Sequence, residues 1–358
     1  MRVLISPGAF KETMGPRQVA EAMVAGVRRA LPMASVLACP VADGGDGLLD
    51  AVLPSGSLRE RVQVTGPLGQ PVDGELGWID SETAILESSS ACGLALVRPE
   101  ERDPLRATSR GVGELIWEAG ERGARVVVVG LGGSATVDAG TGAARGLGWG
   151  FFDAAGAALA EGGVALADLA EFAAGWPFPA SVVALVDVTN PLVGASGAAP
   201  VFGPQKGASP QGVARLDAGL RRVAEVFARH GRPELATVPG GGAAGGMGAG
   251  LAFFAKAKLV PGAEWVLERV GFDAALATAD LVITGEGRFD RTSMAGKAPG
   301  EVLRRAQQAR KKVAVVAGAA ADLIGAHVAT GDGARLDAGD VAALTERVTR
   351  EALGLPPG

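Results

Sequence analysis

Residues 279–287 read ADLVITGEG. A short apolar run closes on glycine and a carboxylate, the pattern of a buried strand that ends in a loop carrying Glu286. KKVAVVAGAA (311–320) and AHVAT (326–330) follow as further strand-like runs. The chain opens in the same way. RVLISP (2–7) is a strand stopped by Pro7, and PRQVAEAMVAGVRRAL (16–31) places Val19, Met23, Val27 and Leu31 at intervals of four behind a helix-starting Pro16. SVLACPVA (35–42) then reads as a second strand, ending in the acidic glycine loop DGGDG (43–47). Strand and helix therefore alternate at both ends of the chain. This predicts one parallel sheet built from the two ends, with the middle inserted.

The middle has a different texture. RVQVTG (61–66), VDGELGWI (72–79) and TAILESS (83–89) are closely spaced, partly alternating runs broken by Gly and Pro, which predict antiparallel strands. An amphipathic helix is expected near 109–122, a buried strand in ARVVVVGLGG (124–133) and a Gly/Ala-rich helix from about 138. SVVALVDV (181–188) is another strand. It runs into TNPLVGASGAAPVFGPQKGAS (189–209), a loop without periodicity to which Val201 and Phe202 give something to pack. GGGAAGGMGAGLAFF (240–254) reads either as a hinge or as the tight entry to a small-residue helix. The spacing of Met247, Leu251 and Phe254 favours the helix.

Bulk properties remove several function classes. A 358-residue chain with 48% apolar residues suits two cores. A net charge of −5, with no block of basic residues, argues against nucleic acid as a partner. Cys39 and Cys92 lie too far apart for a metal motif or a disulfide framework and are expected to be buried thiols. Uncharged stretches such as VAVVAGAAA (313–321) fall well short of the ~20 residues that span a bilayer. A cytoplasmic protein with no membrane partner is expected.

Arginine greatly outnumbers lysine, so the lysines that remain carry information. Lys11, Lys206 and Lys297 stand in loop-like stretches beside Gly or Pro, where a compact ammonium suits phosphoryl oxygens better than a planar guanidinium does. No GxxxxGK[ST] motif exists, and no GxGxxG follows the first strand, so phosphate binding would need another scheme. The parts for phosphoryl transfer are nevertheless present. LGGSATVDAG (131–140) offers the Gly132 and Gly133 backbone, the Ser134 and Thr136 hydroxyls, and Asp138 before a helix, which together resemble an anion nest. DGGDG supplies Asp43 and Asp46 around Gly44 and Gly45, although a solvated turn would look the same. VITGEGRFDRTSMAGKAPG (282–300) brings Glu286, Asp290 and Lys297 with Gly285 and Gly287. ESSSACG (87–93) adds Glu87. His230 and His327 pair with none of its serines by any familiar pattern, which disfavours a Ser-His hydrolase.

Taken in order, SPGAFKETMGPRQVAEAMVAGVRRALP, CPVADGGDG, ESSSACGLALVRPEERDPLRATSRGVGELI, GLGGSATVDAGTGAARGLG, DVTNPLVGASGAAPVFGPQKGAS and ADLVITGEGRFDRTSMAGKAPGEV resemble the successive blocks of the bacterial glycerate kinase family. The likeness runs to about residue 318. It implies an α/β protein in which a flavodoxin-like parallel-sheet domain, residues 1–62 and 256–358, carries an inserted mixed α/β domain, residues 63–255, with the active site in the cleft between them. It implies transfer of phosphate from ATP, with Mg²⁺, to D-glycerate, most often giving 2-phosphoglycerate. Assembly into a homo-oligomer is left open.

On that basis Lys11, Lys206 and Lys297 are expected to neutralise the ATP phosphates and the glycerate carboxylate, and Asp187 and Glu286 to hold the Mg²⁺. Asp43 or Asp290 would take the proton of the attacking hydroxyl. Glu87, Ser134, Asp138 and Asn190 are expected to line the substrate site, where the glycines at 44, 45, 132, 133, 285 and 287 let the backbone approach. The chain departs from the family in having AFKET for SFKGS, Asp46 for a glutamate, VDAG for NDGG and Thr189 where a second acid is usual. Its tail after Ala320 is short and atypical. Two rival readings share the α/β frame: a nicotinamide-dependent reductase of a small hydroxy acid, and a non-catalytic sugar-acid binding protein.

Overall fold

The two chain ends share one sheet. The computed structural model describes residues 1–10, 13–290, 293, 294, 296–320, 326–331 and 335–358. Two units emerge, one of Met1–Asp43, Gly47–Pro54 and Gly262–Gly358, the other of Gly44–Asp46 and Ser55–Pro261. In the first, five parallel strands lie in the order His327–Thr330, Lys312–Ala320, Leu281–Phe289, Arg2–Ile5, Ser35–Ala38. Numbered in chain order within the unit, this is the flavodoxin-like 2-1-3-4-5 arrangement read from its other edge. The ADLVITGEG segment occupies the centre, buried from Leu281 to Gly285.

Helix Pro16–Ala30 places Val19, Met23 and Val27 in one apolar cluster with Val3, Ile5, Ile283 and Val316. Each such burial contributes roughly 1.5–3 kcal/mol. Helix Ala338–Leu353 joins the same cluster through Val341 and Val348. The two helices approach so closely that a Cβ at Gly26 would stand 2.3 Å from the Ala342 carbonyl oxygen. The tail therefore ends in a packed helix, closed at its start by a reciprocal pair: Asp337 accepts from the Asp340 amide, and Asp340 from the Asp337 amide. Helix Ala298–Gln308 packs on strands Leu281–Phe289 and Lys312–Ala320, and helix Gly262–Arg269 packs on that helix.

The second unit is built on a six-stranded mixed sheet. Lys258–Pro261, Ser181–Val186, Val126–Leu131 and Thr83–Glu87 run parallel, and Pro71–Trp78 and Arg59–Thr65 complete it antiparallel. A separate hairpin pairs Gly150–Phe152 with Glu171–Ala173.

Three local expectations need correction. Segment 189–209 is not structureless: it contains helix Ala198–Phe202 and the 3-10 turn Pro204–Lys206, both too short to show a period. Phe202 packs on the core as expected, but Val201 is left exposed. The helix expected from about 138 is only Thr141–Gly146, entered through a left-handed Gly140. Helix Ala243–Phe254 has the tight entry anticipated, with Ala244, Gly245 and Gly246 all at positive φ. Both cysteines are free and buried, and among the described residues no helix is long and apolar enough to cross a membrane.

Candidate active site

Open parallel sheets bind ligands beyond the carboxyl ends of their strands, where the strand order reverses. In the five-stranded unit that point lies between Arg2–Ile5 and Leu281–Phe289. Backbone pairing continues past the end of Arg2–Ile5, along strand Leu281–Phe289: the Ser6 amide donates to the Ile283 carbonyl at 2.8 Å and the Gly8 amide to the Gly285 carbonyl at 2.9 Å. On the other side the Val41 amide donates to the Pro7 carbonyl at 2.9 Å. Asp43 follows directly and Glu286 lies alongside, both half-buried. Glu286 is not in a loop as expected but within strand Leu281–Phe289, level with Ala317, because the strand keeps its pairing to Phe289. A Cβ at Gly285 would lie 2.0 Å from the Val316 carbonyl oxygen, so glycine is required there. Gly287 is half-buried two residues on.

Asp43 is tied to helix Ala298–Gln308, because its carboxylate accepts a hydrogen bond from the Ala298 amide. Lys297 is the N-cap of that helix, in extended conformation, and its own side chain makes no cap. Asp43 thus does from a distant loop what a capping serine would do locally, and brings negative charge to the positive end of the helix. Asp290 heads a turn in which its amide donates to Ser293 Oγ at 3.0 Å, while its carboxylate lies 3.5 Å from the exposed Arg288 Nε. Asp43, Glu286, Asp290 and Lys297 therefore share one edge of one sheet. Lys11 lies outside the described residues.

The six-stranded unit has a comparable edge. Register places Glu87, Gly130 and Leu185 level, so Glu87, loop 132–140, Asp187 and Asn190 all lie at or beyond the carboxyl ends. The loop is fastened by the Ala135 amide to the Cys92 carbonyl (2.8 Å) and by the Leu94 amide to the Gly133 carbonyl (2.7 Å). Ser88 Oγ donates to the Gly132 carbonyl at 3.2 Å. Gly133 is exposed at φ +62°, and a Cβ there would stand 2.7 Å from Asp46 Oδ1. A Cβ at Gly132 would stand 2.8 Å from the Gly45 Cα, so residues 44–46 lie directly against this loop. Asp187 is exposed. Asn190 donates through Nδ2 to the Ser196 carbonyl at 2.8 Å, and its own carbonyl accepts from the Gly242 amide at 2.9 Å.

Two charged residues of this unit are buried. Lys206 is 3% exposed, and its Nζ donates to Ser134 Oγ at 2.9 Å and to the Thr136 carbonyl at 2.7 Å. Burial pushes its pKa down to about 8, opposed by Cys92 and Asp138. Burial pushes the Cys92 thiol up to about 12, so it stays neutral where Lys206 titrates, and of the two Asp138 supplies the opposing charge. Asp138 is fully buried, which raises its pKa against the pull of its hydrogen bonds. Its Oδ2 accepts from the Ser109 amide and hydroxyl (2.9 and 2.8 Å) and the Gly142 amide (3.2 Å), and its Oδ1 from the Gly140 amide (3.0 Å). Of the amides in the 131–140 stretch read as an anion nest, that of Gly140 serves Asp138 itself.

Ser109 escaped the sequence reading. It precedes a helix and looks like an ordinary cap, yet its hydroxyl donates to Asp138 and accepts from the Ala143 amide at 2.9 Å. His230 is exposed, stacked on Phe172 with ring centroids 4.4 Å apart, and its Nε2 is 2.8 Å from Glu171. Among the described residues no three His, Cys, Asp or Glu side chains cluster as a metal cage. Mg²⁺ does not require such a cage, since that ion is commonly held by one or two carboxylates plus substrate phosphates.

Comparison with known proteins accords with this chemistry. Residues 3–347 match the glycerate kinase family model, well beyond the last of the quoted sequence blocks. The chain is 42% identical over 331 residues to glycerate 2-kinase of Escherichia coli, covering 91% of this chain and 87% of that one. It is 40% identical over 322 residues to a glycerate kinase of Halalkalibacterium halodurans, covering 88% and 85%. A crystal structure from Salmonella typhimurium LT2, provisionally assigned as glycerate kinase 2, superposes with a TM-score of 0.83 at 37% identity, covering 99% of this chain and 98% of the other. The chain belongs to the glycerate kinase family of phosphotransferases.

Proposed function

We propose that the chain transfers the terminal phosphate of ATP, with Mg²⁺, to the 2-hydroxyl of D-glycerate in the cytoplasm. The observation that carries this reading is the gathering of Asp43, Glu286, Asp290 and Lys297 at the switch point of a flavodoxin-like sheet. The name of the Escherichia coli relative favours the 2-position over the 3-position.

Phosphoryl transfer asks a protein mainly to position its reactants and to neutralise spread negative charge. Bound Mg²⁺ neutralises phosphate oxygens, and Glu286 and Asp187 are the carboxylates that would hold it, directly or through water. Lys297 stands half-buried at the start of a helix, where a flexible stem lets a compact ammonium follow a phosphoryl oxygen. Lys11 is assigned the same task from the sequence alone. Asp43 or Asp290 accepts the proton of the glycerate hydroxyl. Gly132, Gly133 and Gly287 keep their backbone at least partly accessible for close approach, whereas Gly44, Gly45 and Gly285 are buried, Gly45 against Gly132 and Gly285 against the Val316 carbonyl. Glu87, Ser134, Asp138 and Asn190 shape the loops that meet the substrate.

Incubation with ATP, Mg²⁺ and D-glycerate, followed by phosphorus NMR, tests the reading. A 2-phosphoglycerate signal appearing with ADP is expected. A 3-phosphoglycerate signal would overturn the position of transfer, and an unchanged spectrum would overturn the activity.

A further inference from the structure

We infer that Lys206 is a positioning residue, whose buried ammonium holds loop 131–140 in the shape that presents Gly132 and Gly133 to the substrate. The functional half of this inference rests on the kinase reading; the structural half rests on geometry alone.

Lysine is almost never fully buried unless it is paired, because taking an ammonium out of water is costly. Lys206 is 3% exposed, yet the oxygens it donates to are both neutral, a hydroxyl and a carbonyl. Both belong to one loop, on either side of Ala135. A methionine would fill the same space without the cost of burying charge, so the ammonium must return something other than stability. What it returns is a fixed loop. The Thr136 carbonyl that accepts from Lys206 also lies where a Cβ at Gly245 would come within 1.9 Å, so it is clamped between the lysine and the entry of helix Ala243–Phe254. With Ala135 tied to Cys92 and Leu94 to Gly133, the segment is anchored from behind, and Gly132 and Gly133 are its only residues that are not fully buried. Preorganised backbone of this kind lowers the reorganisation needed in the transition state.

The titratable groups that act on Lys206 are Cys92, on helix Ser88–Cys92, and Asp138, at the far end of the same loop. A lysine pKa depressed by burial means that the charged form costs stability below about 8, a cost that fades as pH rises toward the ordinary lysine value. Lys206→Met should therefore hold its melting temperature at pH 7 within a few degrees.

The test uses the full chain and Lys206→Met, with three readouts. Without substrate, hydrogen–deuterium exchange of amides 132–136 should rise at least about tenfold in the variant while strand 281–289 stays unchanged, because only the loop loses its strut. With ATP, Mg²⁺ and D-glycerate, kcat should fall about 100-fold or more while KM for glycerate changes little, as for an interaction realised in the transition state. The wild-type rate should show an alkaline limb with a midpoint near pH 8, and the variant should lack it. Unchanged exchange with wild-type kcat would overturn the inference. A melting temperature lowered by more than about ten degrees, with exchange raised throughout residues 55–261, would reduce Lys206 to a structural residue and overturn it equally. A wild-type chain that makes no phosphoglycerate would remove the kinase reading and the functional half, whereas unchanged loop exchange in a variant of the active enzyme would remove this inference alone.

Discussion

Lys206 and Lys297 look alike in sequence, each set among glycines and prolines before a helix, and they end in opposite surroundings. Lys297 stays half-buried at the start of helix Ala298–Gln308, beside an Asp43 that caps the same helix. Lys206 is buried beneath a glycine loop and spends its donors on that loop. The carboxylates divide in the same way: Asp43, Glu286 and Asp290 are half-buried at a sheet edge, whereas Asp138 is fully enclosed by Ser109, Gly140 and Gly142. One edge presents charge, and the other uses charge to hold bare backbone in place.

The largest effects should come from the edge that presents charge. Lys297→Ala and Asp43→Asn are each expected to lower turnover by at least about 100-fold, the scale of losing one positioned cation or proton acceptor. Differential scanning fluorimetry should find both melting temperatures within a few degrees of wild type; a parallel fall in melting temperature and activity would make this edge structural and erase the contrast. Asp138→Ala belongs to the other class. Stripping four buried hydrogen bonds from their acceptor should cost about 3 kcal/mol, or roughly 6–12 °C in melting temperature, and urea denaturation read by circular dichroism would measure it. A stable but inactive Asp138→Ala would move Asp138 among the residues that meet substrate.

Smaller changes sharpen the picture. Gly133→Ala forces a side chain into left-handed backbone, worth roughly 1–2 kcal/mol, and crowds the Asp46 carboxylate. Steady-state kinetics should show a loss in kcat/KM for ATP that exceeds the loss in stability. Arg288→Ala should change least. Its guanidinium is 82% exposed and 3.5 Å from Asp290, so the pair is worth less than about 1 kcal/mol. Turnover should stay within about twofold, and a large loss would promote Arg288 to the site.

The distinction between these classes was not legible in the sequence, although much of the frame was. Leu281–Phe289 and Lys312–Ala320 announce themselves as strands because a buried parallel strand is apolar on both faces. Their return at the end of the chain gave away the split sheet. Strand Lys258–Pro261 did not stand out, being four residues long and only partly buried. Residue types suited to phosphoryl transfer stand out in the sequence because that chemistry restricts them to few, but burial depends on contacts far away along the chain. Lys206 is covered through Ser134, 72 positions earlier, and Asp138 through Ser109, 29 positions earlier. No local pattern encodes either meeting. Asp43 is the converse case: its capping of Ala298 joins residues 255 positions apart and explains why a helix can begin at a lysine that makes no cap of its own.

The most direct test of the central claim compares Lys297→Ala and Lys206→Met side by side, measuring ADP release with D-glycerate and amide exchange in loop 132–136 on the same samples. The account predicts that both variants lose turnover, with exchange raised only in Lys206→Met. Equal exchange in the two variants, or full turnover in Lys297→Ala, would contradict it.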